Sequence, residues 1–145
     1  MAEPFDLVVL GAGSGGYACA LRAAQFGLNV ALVEKDKVGG TCLHRGCIPT
    51  KALLHAAEVA DTARTAAQFG ITATFDGVDT EKLHGFKNTV VSRLHKGLSG
   101  LIDALGITVV NGRGRLTGPT TVEVDGSTFT GASIVLATGS APKVP

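Results

Sequence analysis

A glycine-rich turn between two apolar segments restricts the fold of this 145-residue chain more than any other feature. The apolar run at 5–10 is typical of a buried β-strand, and it leads directly into the glycine run at 11–16. Small helix-forming residues then predict a helix over 14–26, followed by a second buried strand at 29–33. Strand, turn, helix and strand form a right-handed βαβ unit. The sequence therefore predicts an α/β domain built on a parallel sheet.

The spacing of these glycines predicts a nucleotide site. In Gly-x-Gly-x-x-Gly, Gly11 permits the sharp turn, Gly13 lets a pyrophosphate approach the backbone, and Gly16 lets helix and strand pack closely. The helix N-terminus then offers free N–H groups to the phosphates. Glu34 follows the second strand, where a carboxylate can accept hydrogen bonds from a ribose diol. The alternative is a plain glycine turn with a surface glutamate, and the pattern alone does not separate NAD from FAD.

Two cysteines five positions apart, Cys42 and Cys47, supply the candidate redox chemistry. A very short closed loop gains little stability from a permanent crosslink, and a strained bridge is easily reduced, so the pair suits a working disulfide. Pro49 favours the first turn of a helix, which places Cys47 at a helix N-terminus, where positive partial charge lowers a thiol pKa. Lys51 shares that helix face and could stabilise negative charge on a sulfur or on a reduced cofactor.

The cysteine count leaves catalysis, redox sensing and metal binding open for this pair. The chain has 3 cysteines, an odd and low number that does not indicate a secreted disulfide framework. A zinc site would require Cys-x2-Cys and a second ligand pair, which His44 and the scattered later histidines do not provide, so we predict no metal. Cys19 lies among small apolar residues and is predicted to be a buried hydrophobic side chain.

Composition disfavours several classes of protein. The net charge is +1, basic runs are lacking and aromatic residues are few, which argues against nucleic-acid binding. No apolar stretch reaches about 18 residues, so we predict no membrane span. The first ten residues lack the pattern of a secretory signal, and we expect a cytoplasmic protein. The length is sufficient for one domain core.

The remainder of the chain predicts two long helices, an antiparallel meander and further strands. The helices are expected over about 49–68 and 80–105, a third strand at 107–110, meander strands at 114–116, 121–124 and 128–130, and a strand at 133–137 that returns to the parallel sheet. An apolar stripe runs along 80–105 at three- and four-residue steps. We expect this stripe to pack against the sheet, with an oligomer contact as the alternative.

Three motifs in this order resemble a known family. They are the glycine turn, the run Gly-Gly-Thr-Cys-Leu-His-Arg-Gly-Cys-Ile-Pro-Thr-Lys at 39–51, and Ala-Thr-Gly at 137–139. Over its whole length the chain resembles the N-terminal part of the FAD domain of the pyridine nucleotide–disulfide oxidoreductases, which implies a Rossmann-like fold. Leu43 and Ile48, where glutathione and mercuric reductases more often carry valine, make it most similar to the dihydrolipoamide dehydrogenase branch.

The resemblance implies FAD as cofactor and a role for each matching residue. Cys42 would be the interchange thiol that reacts with the dithiol substrate, and Cys47 would face the flavin as the charge-transfer thiolate. Because Cys47 is nearer the helix N-terminus, we predict that it holds the more stable thiolate. Electrons would pass from dihydrolipoamide to the cysteines, then to FAD and to NAD. The residues implied to bind FAD are Gly11, Gly13, Gly15, Gly16, Glu34, Lys35, Gly40, Thr41, Cys42, Lys51, Gly114, Thr138, Gly139 and Ser140.

The resemblance also implies parts that the sequence does not match. Family members add an NAD domain and an interface domain that supplies a His–Glu base to the partner subunit, so NAD is expected only through the missing domain. We therefore expect residues 1–145 to be inactive alone. The implied partners are a second copy of the chain and the lipoyl domain of a 2-oxo acid dehydrogenase complex. His44 and Arg45 replace an Asn-Val pair of many relatives, at positions without direct chemistry.

Two other functions remain open at this point. A related reductase of the glutathione or mercuric type would share these motifs. A non-catalytic nucleotide-binding or thiol-sensing module would need only the glycine turn and the cysteine pair.

Overall fold

Strands and helices alternate along the first third of the chain, and two long helices and then four strands follow. The computed structural model describes residues 4–141 and 143. The strands are β1 (Phe5–Leu10), β2 (Val30–Glu34), β3 (Thr108–Asn111), β4 (Gly114–Gly118), β5 (Thr121–Val124) and β6 (Ser127–Leu136). The helices are α1 (Ser14–Gln25), α2 (Gly40–His44), α3 (Cys47–Thr65), which continues into a 3-10 turn (Ala66–Phe69), and α4 (Thr80–Ala104).

The strands form a six-stranded mixed sheet in the order β3-β2-β1-β6-β5-β4. β1 is parallel to β2 and to β6, with Leu7 opposite Val30 on one side and Ser133 on the other. β3 is parallel to β2, whereas β4 and β5 form an antiparallel meander with the first half of β6. The predicted α/β fold with an inserted antiparallel meander is thus confirmed.

The last strand differs from its prediction. The segments expected at 128–130 and 133–137 form one continuous strand, β6. Its first half pairs with β5 and its second half with β1, so the chain changes partner without leaving the extended conformation. Gly131 lies at the change of partner, where a Cβ atom would come within 2.9 Å of the Val8 side chain. A glycine here allows β1 and β6 to approach closely.

Two apolar clusters cover the two faces of the parallel strands. Alternate residues of β1 supply both: Leu7 and Val9 belong to one cluster, and Val8 and Leu10 to the other. Residues of α1 and the end of α4 complete the first cluster, and β5 completes the second through Val122 and Val124. Because β1 is buried on both faces, its sequence is a continuous apolar run.

The helices α3 and α4 lie against each other, and the end of α4 packs against the sheet. Ile102 is 1 % exposed and packs in the first cluster, with Leu98 and Leu105 beside it. Phe86 and Leu101 remain 45 % and 46 % exposed. The prediction that the α4 stripe packs against the sheet therefore holds only for its last turns. Among the described residues, every helix is too short or too polar to cross a lipid bilayer.

Candidate nucleotide and dithiol site

Two glycines of the turn after β1 hold three elements in close contact. Gly11 has a φ of 102°, and a Cβ atom there would collide with the carbonyl oxygen of Ala137 at the end of β6. A Cβ at Gly16 would collide with the carbonyl oxygen of Gly11. Gly13 and Gly15 face open space instead, with no described atom within 4 Å of a Cβ. The turn therefore combines two packed glycines with two that leave room for another molecule.

The N-terminus of α1 begins inside this turn and is left uncapped. Gly13 is the N-cap residue, no side chain caps the helix, and its first turn contains no acidic residue. The first intrahelical bond runs from the Tyr17 amide to the Gly13 carbonyl at 2.9 Å. Within the described part of the chain, the amides of Ser14, Gly15 and Gly16 meet no acceptor. Free N–H groups and the helix dipole together favour an anion such as a phosphate.

Glu34 ends β2 beside the same turn and is 9 % exposed. Its carboxylate accepts hydrogen bonds from the Ala12 amide (2.8 Å, Oε2) and the Asp36 amide (2.9 Å, Oε1). Hydrogen bonds to a charged acceptor compensate for its burial. Each carboxylate oxygen has a second acceptor position, which suits the hydroxyl groups of a ribose.

The turn before β4 closes over the ends of β1 and β2. The Gly112 amide donates to the backbone carbonyl of Glu34 at 2.8 Å. At Gly114, a Cβ atom would collide with Leu10 and lie 2.9 Å from Val33. The structure thus gives Gly114 a packing reason to be glycine, and its implied role near the adenine stays a prediction.

Residues 39–51, which we call the dithiol segment, lie directly against the glycine turn at 11–16. The Gly39 amide donates to the Ala12 carbonyl at 2.8 Å, and a Cβ at Gly40 would come within 2.7 Å of the Gly13 Cα. Both Gly39 and Gly40 have positive φ angles, 109° and 59°, which let the chain reverse at this contact. The structure therefore joins two motifs that are separated by more than twenty residues in the sequence.

The short helix α2 carries Cys42, and Cys47 is the first residue of α3. The start of α3 agrees with the predicted helix N-terminus at Cys47, whereas α2 was not predicted. Both cysteines are free thiols, Cys42 half-buried and Cys47 exposed, and the side chain of each is the largest influence on the pKa of the other. Such proximity is what reversible disulfide exchange between them requires.

The hydrogen bond between the thiols separates their acidities. It lowers the pKa of Cys42, and Ser14 and Lys51 lower that pKa further, against the opposing effect of partial burial. The same bond raises the pKa of Cys47, more than Lys51 lowers it. The two thiols therefore titrate as a pair that shares one proton, and the prediction that Cys47 holds the more stable thiolate stays a prediction.

The remaining predicted residues lie around the same edge or near it. The 138–140 segment follows β6, with Thr138 and Ser140 exposed and the φ of Gly139 at 71°. The Thr138 Cα lies 3.1 Å from the position of a Cβ on Gly11. The predicted residues Lys35, Thr41 and Lys51 are exposed. The carboxyl ends of β1, β2 and β6 thus bring together the glycine turn, Glu34 and the 138–140 segment, at the edge where α/β sheets bind nucleotides.

Sequence reasoning missed several contacts of the dithiol segment. Arg45 Nη2 lies 2.6 Å from Asp36 Oδ2, and His44 Nε2 lies 2.9 Å from the Val38 carbonyl oxygen. The His44 ring also meets that of His95 edge-on, with centroids 5.0 Å apart. No spacing rule connects these residues, so the sequence carries no signal for them. The described residues contain no group of three His, Cys, Asp or Glu side chains that could hold a metal ion.

A parallel sheet with an uncapped helix N-terminus, a buried carboxylate and an adjacent dithiol defines an α/β dinucleotide-binding domain with thiol chemistry. Residues 5–145 match the family model described as pyridine nucleotide-disulphide oxidoreductase. The chain belongs to this family, as predicted from its three motifs.

Curated relatives of the chain carry the name dihydrolipoyl dehydrogenase, an oxidoreductase. The chain is 49 % identical to the protein of Chlamydia muridarum over 99 % of its own length and 31 % of the relative. It is 43 % identical to that of Bacillus subtilis, over 99 % of the chain and 33 % of the relative. For Thermus scotoductus the identity is 45 %, over 97 % of the chain and 30 % of the relative. The chain thus spans about a third of the length of these relatives.

Proposed function

We propose that this chain is the flavin- and dithiol-bearing part of an enzyme that oxidises dihydrolipoamide with NAD. The contact between the glycine turn and the dithiol segment carries the proposal, since it places Cys42 beside the anion-binding end of α1. The curated relatives named dihydrolipoyl dehydrogenase support the choice of reaction.

The residues of the site fit FAD. The open faces of Gly13 and Gly15 and the free amides of α1 would receive its pyrophosphate, and Glu34 would accept hydrogen bonds from its ribose. The 138–140 segment and Lys51 would contact the remainder of the cofactor. When bound, FAD would supply the two-electron acceptor for the dithiol, with NAD as the final acceptor.

The cysteines perform the thiol exchange. In the oxidised pair, a thiolate of dihydrolipoamide attacks the Cys42 sulfur, forms a mixed disulfide and displaces Cys47 as a thiolate. The second thiol of the substrate then attacks the substrate sulfur of the mixed disulfide. This closes the lipoamide disulfide, breaks the bond to Cys42 and releases Cys42 as a thiolate. The substrate loses two electrons and two protons, and the cysteine pair gains the electrons. The Cys47–Cys42 hydrogen bond and the positive charge of Lys51 stabilise negative charge on Cys42, as an interchange thiol requires.

The partners and location follow from the same proposal. The dithiol substrate is the lipoyl group of a 2-oxo acid dehydrogenase complex, and the working protein is a homodimer. A thiol pair that must cycle between oxidation states suits the reducing cytoplasm.

The test is an assay of the protein that contains this chain, purified with FAD. We expect a yellow protein that reduces NAD with dihydrolipoamide, and C42S and C47S variants that lose turnover while still binding flavin. The half-buried Cys19 lies outside the pair, so C19S is the matched control and should keep its activity. Turnover with glutathione disulfide or mercuric ion instead of lipoamide would contradict the proposed substrate. Nucleotide binding without any turnover would indicate a thiol-sensing module.

A further inference from the structure

The middle of the dithiol segment is held against the turn that follows Glu34 by an ion pair and a hydrogen bond. The guanidinium of Arg45 pairs with Asp36 at 2.6 Å, and His44 Nε2 donates to the Val38 carbonyl at 2.9 Å. The turn itself is fixed, because the Asp36 amide donates to the buried carboxylate of Glu34. His44 and Arg45, two of the four residues between the cysteines, therefore contact the turn that follows the strand carrying Glu34.

A second element holds the same segment from the other side. The His44 ring packs edge-on against His95 of α4, with 5.0 Å between centroids. Leu43, next to Cys42, is buried, and a Cβ on Gly39 would collide with it. Between the two cysteines, Leu43, His44 and Arg45 thus all contact other parts of the fold.

We propose that Asp36, His44 and Arg45 are positioning residues that hold Cys42 and Cys47 in the geometry from which their disulfide closes. The inference rests on the proposed function, in which these cysteines form a redox couple. Closing a ring costs conformational entropy, and a segment held near its closed geometry has already lost that freedom. The equilibrium constant for disulfide formation therefore measures how well the segment is held.

The charge of Arg45 offers another explanation that the test must separate. A cation near the cysteines stabilises thiolates directly, without positioning anything. Arg45→Met removes that cation, whereas Asp36→Asn breaks the ion pair and leaves the cation in place. Positioning predicts that both variants shift the equilibrium in the same direction. A direct charge effect predicts opposite directions.

The experiment equilibrates the chain, in a C19S background, with mixtures of reduced and oxidised dithiothreitol, and measures the fraction of closed pair by thiol trapping. We expect R45M and D36N each to lower the constant for disulfide formation roughly two- to five-fold at low salt. The D36N/R45M double variant should lose no more than either single variant, since both break one interaction. The loss should shrink in about 1 M salt, where the Debye length is only about 3 Å.

His44→Phe tests the hydrogen bond between His44 and the Val38 carbonyl. This variant keeps an aromatic ring against His95 but cannot donate to Val38, so we expect a similar loss that does not depend on salt. R64M is the matched control, because it breaks another exposed Arg–Asp pair, Arg64–Asp61 at 2.8 Å, within α3. It should leave the constant unchanged.

The outcomes separate the two proposals. If R45M and D36N leave the constant unchanged, or shift it in opposite directions, the positioning role is overturned and the redox couple stands. If the parent chain forms no Cys42–Cys47 disulfide at any dithiothreitol ratio, the proposed redox function and the positioning role both fail.

Discussion

The βαβ unit and the helical segment that follows it are held by different kinds of contact. In β1, α1 and β2 the turn is fixed by backbone atoms in close approach at Gly11 and Gly16, and by the buried carboxylate of Glu34. In the segment from α2 to α4 several of the contacts between elements are made by exposed side chains, such as the Arg45–Asp36 pair. Solvent screens exposed ion pairs, whereas water cannot compensate for a backbone collision or for a buried donor without a partner. A substitution of similar size should therefore lower the free energy of unfolding far more in the first region than in the second.

The sharpest test compares two neighbouring glycines of the turn. G16A should lower the free energy of unfolding by about 3 kcal/mol or more, because its Cβ would collide with the Gly11 carbonyl, which cannot move aside. G15A should be neutral or stabilise by up to about 1 kcal/mol, because its Cβ meets open space and alanine favours a helix. Denaturant unfolding of the two variants measures the difference. Equal stability of G16A and G15A would contradict the close packing described here.

A second test compares two carboxylates of the same turn. E34Q should cost about 1–3 kcal/mol, because its amide group can accept from only one of the Ala12 and Asp36 N–H groups and leaves the other unsatisfied. D36N removes an exposed ion pair and should cost less than about 1 kcal/mol. Urea unfolding at neutral pH checks both. A larger loss from D36N than from E34Q would reverse the comparison between buried and exposed contacts.

The dithiol offers a third test through its pH dependence. Because the pKa of Cys42 is lowered and that of Cys47 raised, alkylation of the reduced chain should reach half its maximal rate at a lower pH for Cys42 than for Cys47. K51M should move both midpoints to higher pH, since Lys51 lowers both pKa values. Iodoacetamide labelling followed by peptide mass spectrometry gives each midpoint separately. A lower midpoint at Cys47 would restore the order expected from the helix N-terminus alone.

The sequence predicts the first region well because its rules are local. The apolar run at 5–10 becomes β1 without change, and Gly11 and Gly16 have the steric reasons that their spacing implies. The start of α3 at Cys47 follows from Pro49 in the same way. Glu34 ends β2 as predicted, and its side chain lies beside the glycine turn.

The second region is predicted less completely, because its geometry depends on contacts between elements. The five-residue helix α2 is too short for a periodic pattern. The influence of Cys42 on the pKa of Cys47, the largest effect on that pKa, depends on how α2 brings the two side chains together, which no spacing rule predicts. The pairing of Arg45 with Asp36 arises only once α2 folds back over the turn after Glu34.

The smallest expected effect lies at the start of α4, where one exposed side chain caps the helix. Asp79 accepts a hydrogen bond from the Lys82 amide at 3.0 Å and lies 3.3 Å from the Lys82 ammonium, and both interactions lower its pKa. A carboxyl group whose pKa is lower in the folded state than in the unfolded state stabilises the fold at pH values above its unfolded pKa. This contribution disappears as the pH falls through the folded-state pKa.

D79A should therefore lower the Tm by a few degrees at pH 7 and progressively less below about pH 4. D79N keeps the capping oxygen without the charge, so it should retain most of the stability at pH 7 with a weaker dependence on pH. Thermal unfolding between pH 3 and 7 tests this, and a D79A deficit that stays constant across that range would show that the charge of Asp79 adds nothing to the cap.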